Sequence, residues 1–221
     1  MNNESIFSSL SQSELEYLKS KSCKKILKEN EIIFWEGDYG DNVYFIEHGR
    51  VNIFLISGEG KEKTLRIFGE GEFFGEMSIF DKLPRSASAR TMSETSLLTI
   101  PGNIILEMVK KNSDLSMKFI RELSRRMRIA DIQIKELLFR NSKERVIRNL
   151  LSLAVEFGKQ TDKGILINFK LTQQDIANIT GLARETVSRI MSSLENDLLI
   201  IVESKSILIP SLDKLRQESS L

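Results

Sequence analysis

Two kinds of hydrophobic spacing divide the chain. In the N-terminal part apolar residues occupy every second position, as at Val51, Ile53 and Leu55. From about Asp114 onward the apolar residues recur at intervals of three and four. Alternation is typical of half-buried strands, and spacing of three and four is typical of amphipathic helices. The pattern therefore predicts a β-rich N-terminal module followed by a helical C-terminal part.

Glycine usage agrees with this division. Eight of the 12 glycines lie between Gly37 and Gly75. The stretches Glu-His-Gly-Arg at 47–50 and Ser-Gly-Glu-Gly at 57–60 separate the apolar runs and are typical of turns. The sequence therefore predicts a compact antiparallel β module whose last strand ends before Pro101.

A helical stripe of apolar residues follows this module. Its members are spaced 3, 4, 3, 4 and 3 apart, which is an a/d seam of about two and a half heptads. Such a seam packs either on its own domain or on a partner helix. The strict spacing and the small Ala130 favour a parallel homodimer. The expected dimer residues are Ile120, Leu123, Met127, Ala130, Ile134 and Leu137.

The last third of the chain predicts short helices and a hairpin. Asn141-Ser142 interrupts the seam, and a further helix is expected to run to about Phe157, followed by a loop over 158–164. Thr172 with Asp175 has the spacing of a capping box, which predicts that a helix begins there and ends before Gly181. A second helix is expected from about 183 to 196. The two short apolar runs around Lys205 predict a β-hairpin, which would form a wing.

Composition excludes several classes of protein. A chain of 221 residues is long enough for two modules. It contains no apolar run of about 18 residues, so we expect no membrane span. The N-terminal residues lack a secretory signal, which predicts a cytoplasmic location. The formal net charge is +1, so any affinity for nucleic acid must come from a local cluster of charges.

Metal chemistry has little support in the sequence. Cys23 is the single cysteine and His48 the single histidine. One cysteine excludes an intramolecular disulfide, a cysteine-based zinc site and a cysteine-held iron–sulfur cluster within one chain. His48 lies in a predicted turn, where a surface histidine is expected rather than a haem ligand. We expect no metal, no haem and no enzymatic activity, because the chain also lacks a motif for nucleophilic catalysis.

The two C-terminal helices have the residues that a helix-turn-helix requires. Such a pair needs a small residue at the helix contact, a residue that tolerates left-handed backbone in the turn, and apolar residues on the inner face. Ala177, Gly181 and Val187 meet these needs. The outer face of the second helix then carries four polar residues, which are Arg184, Glu185, Ser188 and Arg189.

Those outer residues suit the edges of DNA bases. An arginine fork fits guanine O6 and N7, and a glutamate accepts a hydrogen bond from cytosine N4. Thr172 and Gln173 are expected to position phosphates. The alternative is a solvated helix face with an ion pair between Glu185 and a neighbouring arginine. The sequence favours DNA reading because the turn pattern and the wing occur together.

Two segments closely resemble a known family. They are residues 171–190, Leu-Thr-Gln-Gln-Asp-Ile-Ala-Asn-Ile-Thr-Gly-Leu-Ala-Arg-Glu-Thr-Val-Ser-Arg-Ile, and residues 73–89, Phe-Phe-Gly-Glu-Met-Ser-Ile-Phe-Asp-Lys-Leu-Pro-Arg-Ser-Ala-Ser-Ala. Both are similar to signatures of the cyclic AMP receptor protein and fumarate–nitrate regulator superfamily of bacterial transcription factors.

The resemblance implies an α+β architecture in three segments. These are an N-terminal cyclic-nucleotide-binding β-roll over 1–113, a dimerisation helix over 114–140 and a C-terminal winged helix-turn-helix over 141–221. It also implies double-stranded DNA, a second copy of the chain and RNA polymerase as partners. The short 158–164 loop puts the polymerase contact of the cyclic AMP receptors in doubt.

The resemblance also implies a DNA half-site. Arg184, Glu185 and Arg189 match the base-reading residues of the cyclic AMP receptor branch, which reads TGTGA. Glu185, Ser188 and Arg189 match the fumarate–nitrate branch as well, which prefers TTGAT. We expect an inverted repeat with a shared TGA core, and Arg184 favours TGTGA.

In the phosphate-binding cassette at 73–89, Gly75 would let the backbone approach a cyclic nucleotide. Glu76 would accept a hydrogen bond from the ribose 2′-hydroxyl, and Arg85 would pair with the cyclic phosphate. The alternative is that Glu76 and Arg85 pair with each other in a protein that binds no ligand. The other residues expected around the ligand are Met77, Ser78, Ser86 and Ala87.

One departure from the family concerns the residues that would contact the purine base of a cyclic nucleotide. Ala130-Asp131 stands where the cyclic AMP receptors have a Thr-Ser pair that contacts adenine. Asp131 can instead accept a hydrogen bond from an exocyclic amine. Cyclic AMP, another purine nucleotide and the absence of any effector therefore stay open. A nucleotide-binding regulatory subunit that acts on a protein partner is a further alternative.

Overall fold

The computed structural model describes residue 7, residues 10–203 and residues 206–219. Within them the chain forms two compact units, Met1–Ile129 and Ala130–Leu221. Helix α4, Ser113–Phe139, crosses the boundary between the units. The boundaries of the three segments expected from the sequence stay predictions.

The first unit is a β-roll of two four-stranded sheets, together with helices α1, α2 and α3 and the first part of α4. One sheet has the strand order β1-β8-β3-β6, the other has β2-β7-β4-β5, and every neighbouring pair is antiparallel. The elements are α1 (Gln12–Ser20), β1 (Cys23–Leu27), β2 (Ile32–Phe34), β3 (Asn42–His48), β4 (Val51–Ile56), β5 (Glu62–Phe68), β6 (Phe73–Phe74), α2 (Met77–Phe80), β7 (Ser88–Thr91), β8 (Thr95–Pro101) and α3 (Gly102–Lys111).

The alternation in β4 is interrupted, which the sequence analysis did not predict. Val51 and Phe54 are fully buried, whereas Ile53 and Leu55 are only half-buried. The pairing of β4 with β5 shifts register between Ile53 and Phe54. The partners across this shift are Arg66 and Thr64, so the extra residue, Leu65, lies in β5 and changes which positions of β5 face the core. In β4 the inward-facing residue of this stretch is Phe54 rather than Leu55.

The two predicted turns have different roles. The Ser-Gly-Glu-Gly turn joins the paired strands β4 and β5 and is closed by a hydrogen bond from the Ser57 amide to the Lys61 carbonyl, 2.9 Å. The turn at 47–50 instead links β3 to β4, which belong to different sheets. It therefore carries the chain between the two sheets and is not the end of a hairpin.

Helices α1 and α3 were not predicted from the sequence. In α3 the inward residues Ile104, Ile105 and Met108 are buried, which is helical spacing over only ten residues. They pack with Leu115 and Phe119 of α4 in one hydrophobic cluster. The N-terminal half of α4 is therefore fixed to the β-roll by apolar burial.

The second unit contains helices and a small antiparallel sheet of order β11-β12-β10-β9. The hairpin of β11 and β12 is the wing expected from the sequence, and Lys205, which the sequence analysis placed between its strands, lies outside the described residues. The elements are α5 (Ser142–Phe157), β9 (Gly158–Thr161), β10 (Gly164–Ile167), α6 (Gln173–Thr180), α7 (Arg184–Asn196), β11 (Ile201–Glu203), β12 (Ser206–Ile209) and α8 (Leu212–Glu218).

The prediction of a loop over 158–164 was wrong. Gly158–Thr161 and Gly164–Ile167 pair as an antiparallel hairpin, and β10 also pairs with β12. Gly158 follows α5 directly, and a Cβ there would lie 2.2 Å from the carbonyl oxygen of Ala154. Glycine is therefore needed for the chain to leave the helix and enter the strand at once.

In the parts of the chain that the structure describes, none of the helices combines the length and apolar character needed to cross a bilayer.

Candidate functional site

Helices α6 and α7 form a tight helix-turn-helix. Thr172 caps α6 in a box with Asp175, as the spacing predicts. Gly181 ends the helix in the left-handed region, at φ 66° and ψ 34°, where a Cβ is unfavourable. The carbonyl of Ala177 accepts from the amides of Gly181 at 2.7 Å and Leu182 at 3.2 Å. Only three residues then separate α6 from α7.

The inner face of α7 packs into the unit. Val187 and Leu194 are fully buried, Met191 is 4% exposed and Ile190 is half-buried. Ala177 of α6 is also buried, as expected for the small residue at a helix contact. This apolar anchoring fixes which face of α7 points outward.

The outer face carries the predicted reading residues. Arg184, Glu185 and Arg189 are exposed and Ser188 is half-buried. Residues at i, i+1, i+4 and i+5 share one helix face. Within the described ranges, no side-chain hydrogen bond or ion pair involves any of these four residues. The alternative of a local ion pair between Glu185 and an arginine is therefore wrong for this structure.

The two predicted phosphate contacts differ in availability. The Thr172 hydroxyl donates to Asp175 Oδ2 at 2.7 Å and accepts from the Asp175 amide at 3.1 Å. Gln173, the first residue of α6, is exposed. The capping box therefore occupies Thr172, and Gln173 has the freer side chain. The contacts of both residues with DNA stay predictions.

A second group of functional candidates lies in the first unit, around Arg85. Its side chain is 4% exposed, and its guanidinium donates to Ser78 Oγ and to the Asn42 carbonyl, both at 2.8 Å, and to the Gly75 carbonyl. Arg85 Nε is buried without a hydrogen-bond partner among the described residues. Burial lowers the pKa of Arg85, although nearby acidic groups favour its charged form. Arg85 is therefore a desolvated cation whose Nε–H is available as a hydrogen-bond donor.

Backbone geometry gives Arg85 its place. Gly75 has φ 79°, and a Cβ there would lie 2.8 Å from Arg85 Nη1. A Cβ on Gly40 would lie 2.3 Å from Arg85 Nε. The Phe34 ring covers the guanidinium, with 4.4 Å between Cζ and the ring centroid. Gly75 could be predicted from its place in the cassette motif, whereas Gly40 and Phe34 have no motif signal of their own and were missed.

Glu76 pairs with α4 rather than with Arg85. Its carboxylate is 3% exposed and accepts from Arg126 Nη1 at 2.8 Å. The same arginine donates to the Phe73 carbonyl and lies 4.5 Å from the Phe68 ring centroid. The alternative in which Glu76 and Arg85 bond to each other is therefore wrong, because both Arg85 nitrogens that donate do so to other acceptors.

A wider ion-pair network surrounds this contact. Glu122 accepts from Arg126 Nε at 2.8 Å and from Arg125 Nε at 2.7 Å. The buried Glu72 accepts from Arg66 at 2.9 Å and from Arg125 at 3.4 Å. Burial raises the pKa of Glu122, but the hydrogen bonds from the two arginines outweigh it, so the pKa lies below its ordinary value. Helix α4 is thus joined to the β-roll by charge as well as by apolar packing.

The remaining cassette candidates line the same loop. Ser78 and Ala87 are buried, whereas Met77 is 50% exposed and Ser86 is exposed. The Ser86 hydroxyl lies 3.6 Å from the Met77 sulfur. Helix α2, which begins after Glu76, has only four residues. A contact of any of these groups with a ligand stays a prediction.

The seam of α4 is open along most of its length. Ile120 is 54%, Met127 65% and Ile134 56% exposed. Leu137 and Ala130 are also exposed, while Leu123 is half-buried. Asp131 is exposed on the same helix, and its contact with a purine stays a prediction.

The single histidine and cysteine lie at the surface. His48 Nδ1 is 3.5 Å from Glu70 Oε1, and both side chains are mostly exposed. Cys23 is exposed in β1. Among the residues described, no group of three histidine, cysteine or acidic side chains is arranged to hold a metal ion.

Two family descriptions match the chain. Residues 24–112 match the cyclic nucleotide-binding domain, and residues 144–218 match the Crp-like helix-turn-helix domain. The first range contains the Arg85 cassette and the second contains α6 and α7.

Known proteins and structures match nearly the whole chain. A CRP-like cAMP-activated global transcriptional regulator of Mycobacterium tuberculosis is 33% identical, over 85% of this chain and 84% of its own. An anaerobic regulatory protein of Bacillus subtilis is 32% identical, over 92% of this chain and 86% of its own. The structure of a mutant of CooA from Carboxydothermus hydrogenoformans is similar in fold, with a TM-score of 0.80 and 21% identity, covering 99% of this chain and 96% of that one.

Proposed function

This chain belongs to the CRP/FNR superfamily of transcription regulators, and we propose that it is a homodimeric, sequence-specific DNA-binding regulator controlled by a small effector. It acts in the cytoplasm and reads an inverted repeat with TGTGA-like half-sites. Its effector is a cyclic nucleotide. RNA polymerase is the further protein partner that such a regulator needs.

The observation that carries DNA reading is the free outer face of α7. Arg184, Glu185 and Arg189 are exposed and make no side-chain hydrogen bond or ion pair elsewhere in the described chain. Their donors and acceptor are therefore available to base edges. The short turn and the buried Val187 and Leu194 hold this face in a fixed orientation. Rigid presentation is what direct readout in the major groove requires.

The open seam of α4 supports the dimer. Large apolar residues at 3–4 spacing, each about half exposed, would cost free energy if water covered them permanently. A second copy of the same helix provides the matching seam, since knobs-into-holes packing is self-complementary at a/d positions. A homodimer then presents two copies of α7 to an inverted repeat.

The cassette supports an anionic effector. Arg85 is desolvated, keeps one unpartnered donor and lies within the matched cyclic nucleotide-binding domain. A guanidinium of this kind favours a phosphate that can take up the remaining hydrogen bond. Because the Mycobacterium tuberculosis relative is named as cAMP-activated, cyclic AMP is the first candidate.

One alternative to this function has support of its own. Glu185, Ser188 and Arg189 also suit TTGA-type sites, and the Bacillus subtilis relative is named for anaerobic regulation rather than for a nucleotide. An effector-independent regulator that reads TTGA-type sites is therefore the second candidate. A nucleotide-binding regulatory subunit is less well supported, because the exposed face of α7 would then have no use.

Selection of binding sites from random duplex DNA tests the proposal. With and without cyclic AMP, the purified protein should enrich palindromes with a TGA core. Arg184→Ala should reduce the preference for TGTGA over TTGAT, because the arginine fork that favours guanine is removed. Failure to enrich any TGA-cored palindrome under either condition would contradict the proposal.

A further inference from the structure

The carbonyl at the end of α6 is held from outside the helix-turn-helix. Arg145 lies in the first turn of α5, where its amide donates to the Asn141 carbonyl at 3.1 Å. Its Nη2 donates to the carbonyl oxygen of Thr180, the last residue of α6. Thr180 is 5% exposed, and its hydroxyl donates to the Ile176 carbonyl at 2.7 Å. The bond from Arg145 is therefore made to a buried part of the turn.

Charge favours this contact. The last carbonyls of a helix lack intrahelical donors and carry the negative end of the helix dipole. Gly181 and Leu182 satisfy the Ala177 carbonyl, and the arginine satisfies that of Thr180. A cation on a buried helix C-terminus is a charge-assisted capping interaction.

The following helix depends on this end of α6. Helix α7 begins after Ala183, which has no side-chain hydrogen bond with which to cap it. Its first turn is closed only by backbone bonds, such as that from the Thr186 amide to the Ala183 carbonyl, 3.0 Å. With three residues between the helices, the path of Thr180 determines where α7 starts.

We propose that Arg145 is a positioning residue for the DNA-reading helix. It fixes the Thr180 carbonyl, and through the short turn it sets the orientation in which Arg184, Glu185 and Arg189 meet the bases. The proposal rests on the proposed DNA-reading function. It adds that specificity depends on a residue of α5 that touches no base.

The geometry predicts which substitutions are tolerated. The bond uses a single nitrogen of the guanidinium and a single carbonyl oxygen. A lysine ammonium can make the same one-to-one contact, whereas methionine fills similar space without a donor. Arg145→Lys should therefore keep the function that Arg145→Met loses.

Arg148 provides a matched control. It lies one turn further along α5, is half-buried and makes no side-chain hydrogen bond or ion pair within the described residues. Arg148→Met removes the same charge from the same helix without removing a hydrogen bond to the turn. It therefore controls for a general loss of electrostatic attraction to DNA.

Fluorescence anisotropy of the full-length protein measures the ratio of affinities for a TGA-cored palindrome and for a scrambled duplex. Arg145→Met should lower this ratio about 10-fold by weakening only specific binding, while Arg145→Lys and Arg148→Met stay near wild type. Circular dichroism at the assay temperature establishes that each variant is folded.

Three results would overturn the inference. One is a folded Arg145→Met protein with the wild-type ratio. Another is a folded Arg145→Lys protein with the same loss as Arg145→Met. A third is unfolding of both variants, which would make Arg145 a requirement of the fold. If the wild-type protein itself shows no preference for the palindrome, the proposed function fails rather than this inference.

Discussion

Arg126 Nη1 lies 2.8 Å from Oε1 of Glu76, and both side chains are largely withdrawn from solvent. One residue belongs to helix α4 and the other to the cassette, 50 positions earlier in the chain. A ligand that bonds to Glu76 would therefore act on a carboxylate that already holds α4. This contact would give the proposed effector a direct physical route to α4.

Breaking this pair should destabilise the protein. Arg126→Met leaves the Glu76 carboxylate buried without its partner, which typically costs about 3–5 kcal/mol. Urea unfolding should show that loss, and the double variant Arg126→Met with Glu76→Gln should recover part of it because the remaining side chain is uncharged. Lys111→Met, which breaks an exposed pair with Glu107, should change the unfolding free energy little. A double variant no more stable than the single one would contradict this account.

The network at Glu122 predicts a dependence of stability on pH. The pKa of Glu122 is lowered in the folded protein, because the hydrogen bonds from Arg125 and Arg126 outweigh burial. A carboxyl with a depressed folded pKa stabilises the protein above the unfolded pKa, about 4.3 for glutamate, and the stabilisation disappears as the pH falls through the folded value. Wild type should therefore exceed Glu122→Gln in unfolding free energy at pH 6, and the difference should shrink below about pH 4. A difference that stays constant from pH 6 to pH 3 would refute the assignment.

Two glycines allow a matched test of the cassette. Gly75 and Gly71 have similar backbone angles, φ 79° and 82°, so alanine at either position costs about 1–2 kcal/mol of backbone strain. Only at Gly75 would the added Cβ press on Arg85; Gly71 has no heavy atom within 4 Å of that position. Calorimetric titration with cyclic AMP should show at least about 10-fold weaker binding for Gly75→Ala than for Gly71→Ala. Equal weakening in both variants would show that Arg85 does not depend on Gly75.

The seam predicts the effect of a charge on dimerisation. Ile134→Glu would place a carboxylate in the apolar seam of the proposed dimer, whereas Ile134 is 56% exposed in the single chain. Sedimentation velocity should show a shift from dimer to monomer, with a dissociation constant about 100-fold higher. Lys135→Glu changes a neighbouring exposed residue off the seam and should leave the dimer intact. Monomeric wild-type protein, or a dimer that withstands Ile134→Glu, would mean that the seam has another partner.

Elements with strong local signals were predicted well. The capping box at Thr172, the break at Gly181 and the helix after Ala183 follow from rules that involve neighbouring residues, and all three were confirmed. A strand without alternating apolar residues was not predicted. Lys159 and Gln160 give β9 a polar sequence, so the hairpin with β10 was taken for a loop.

The partners of the cassette were beyond the reach of local rules. Glu76 and Arg85 were identified from residue type and spacing, but the choice of Arg126 as the partner of Glu76 depends on how α4 packs against the β-roll. Three of the groups around Arg85, which are Phe34, Gly40 and Asn42, lie more than 40 positions before it. Only tertiary structure brings them together.

The spacing of the two DNA half-sites tests the central claim most directly. A dimer that presents two reading helices requires half-sites about one helical turn apart, roughly 10 base pairs from centre to centre. Insertion of five base pairs turns the second half-site to the opposite face of the duplex. Anisotropy with the purified protein, with and without cyclic AMP, should then show affinity reduced by at least about 100-fold, toward non-specific binding. Equal affinity for the two spacings would contradict a symmetric dimer that reads both half-sites at once.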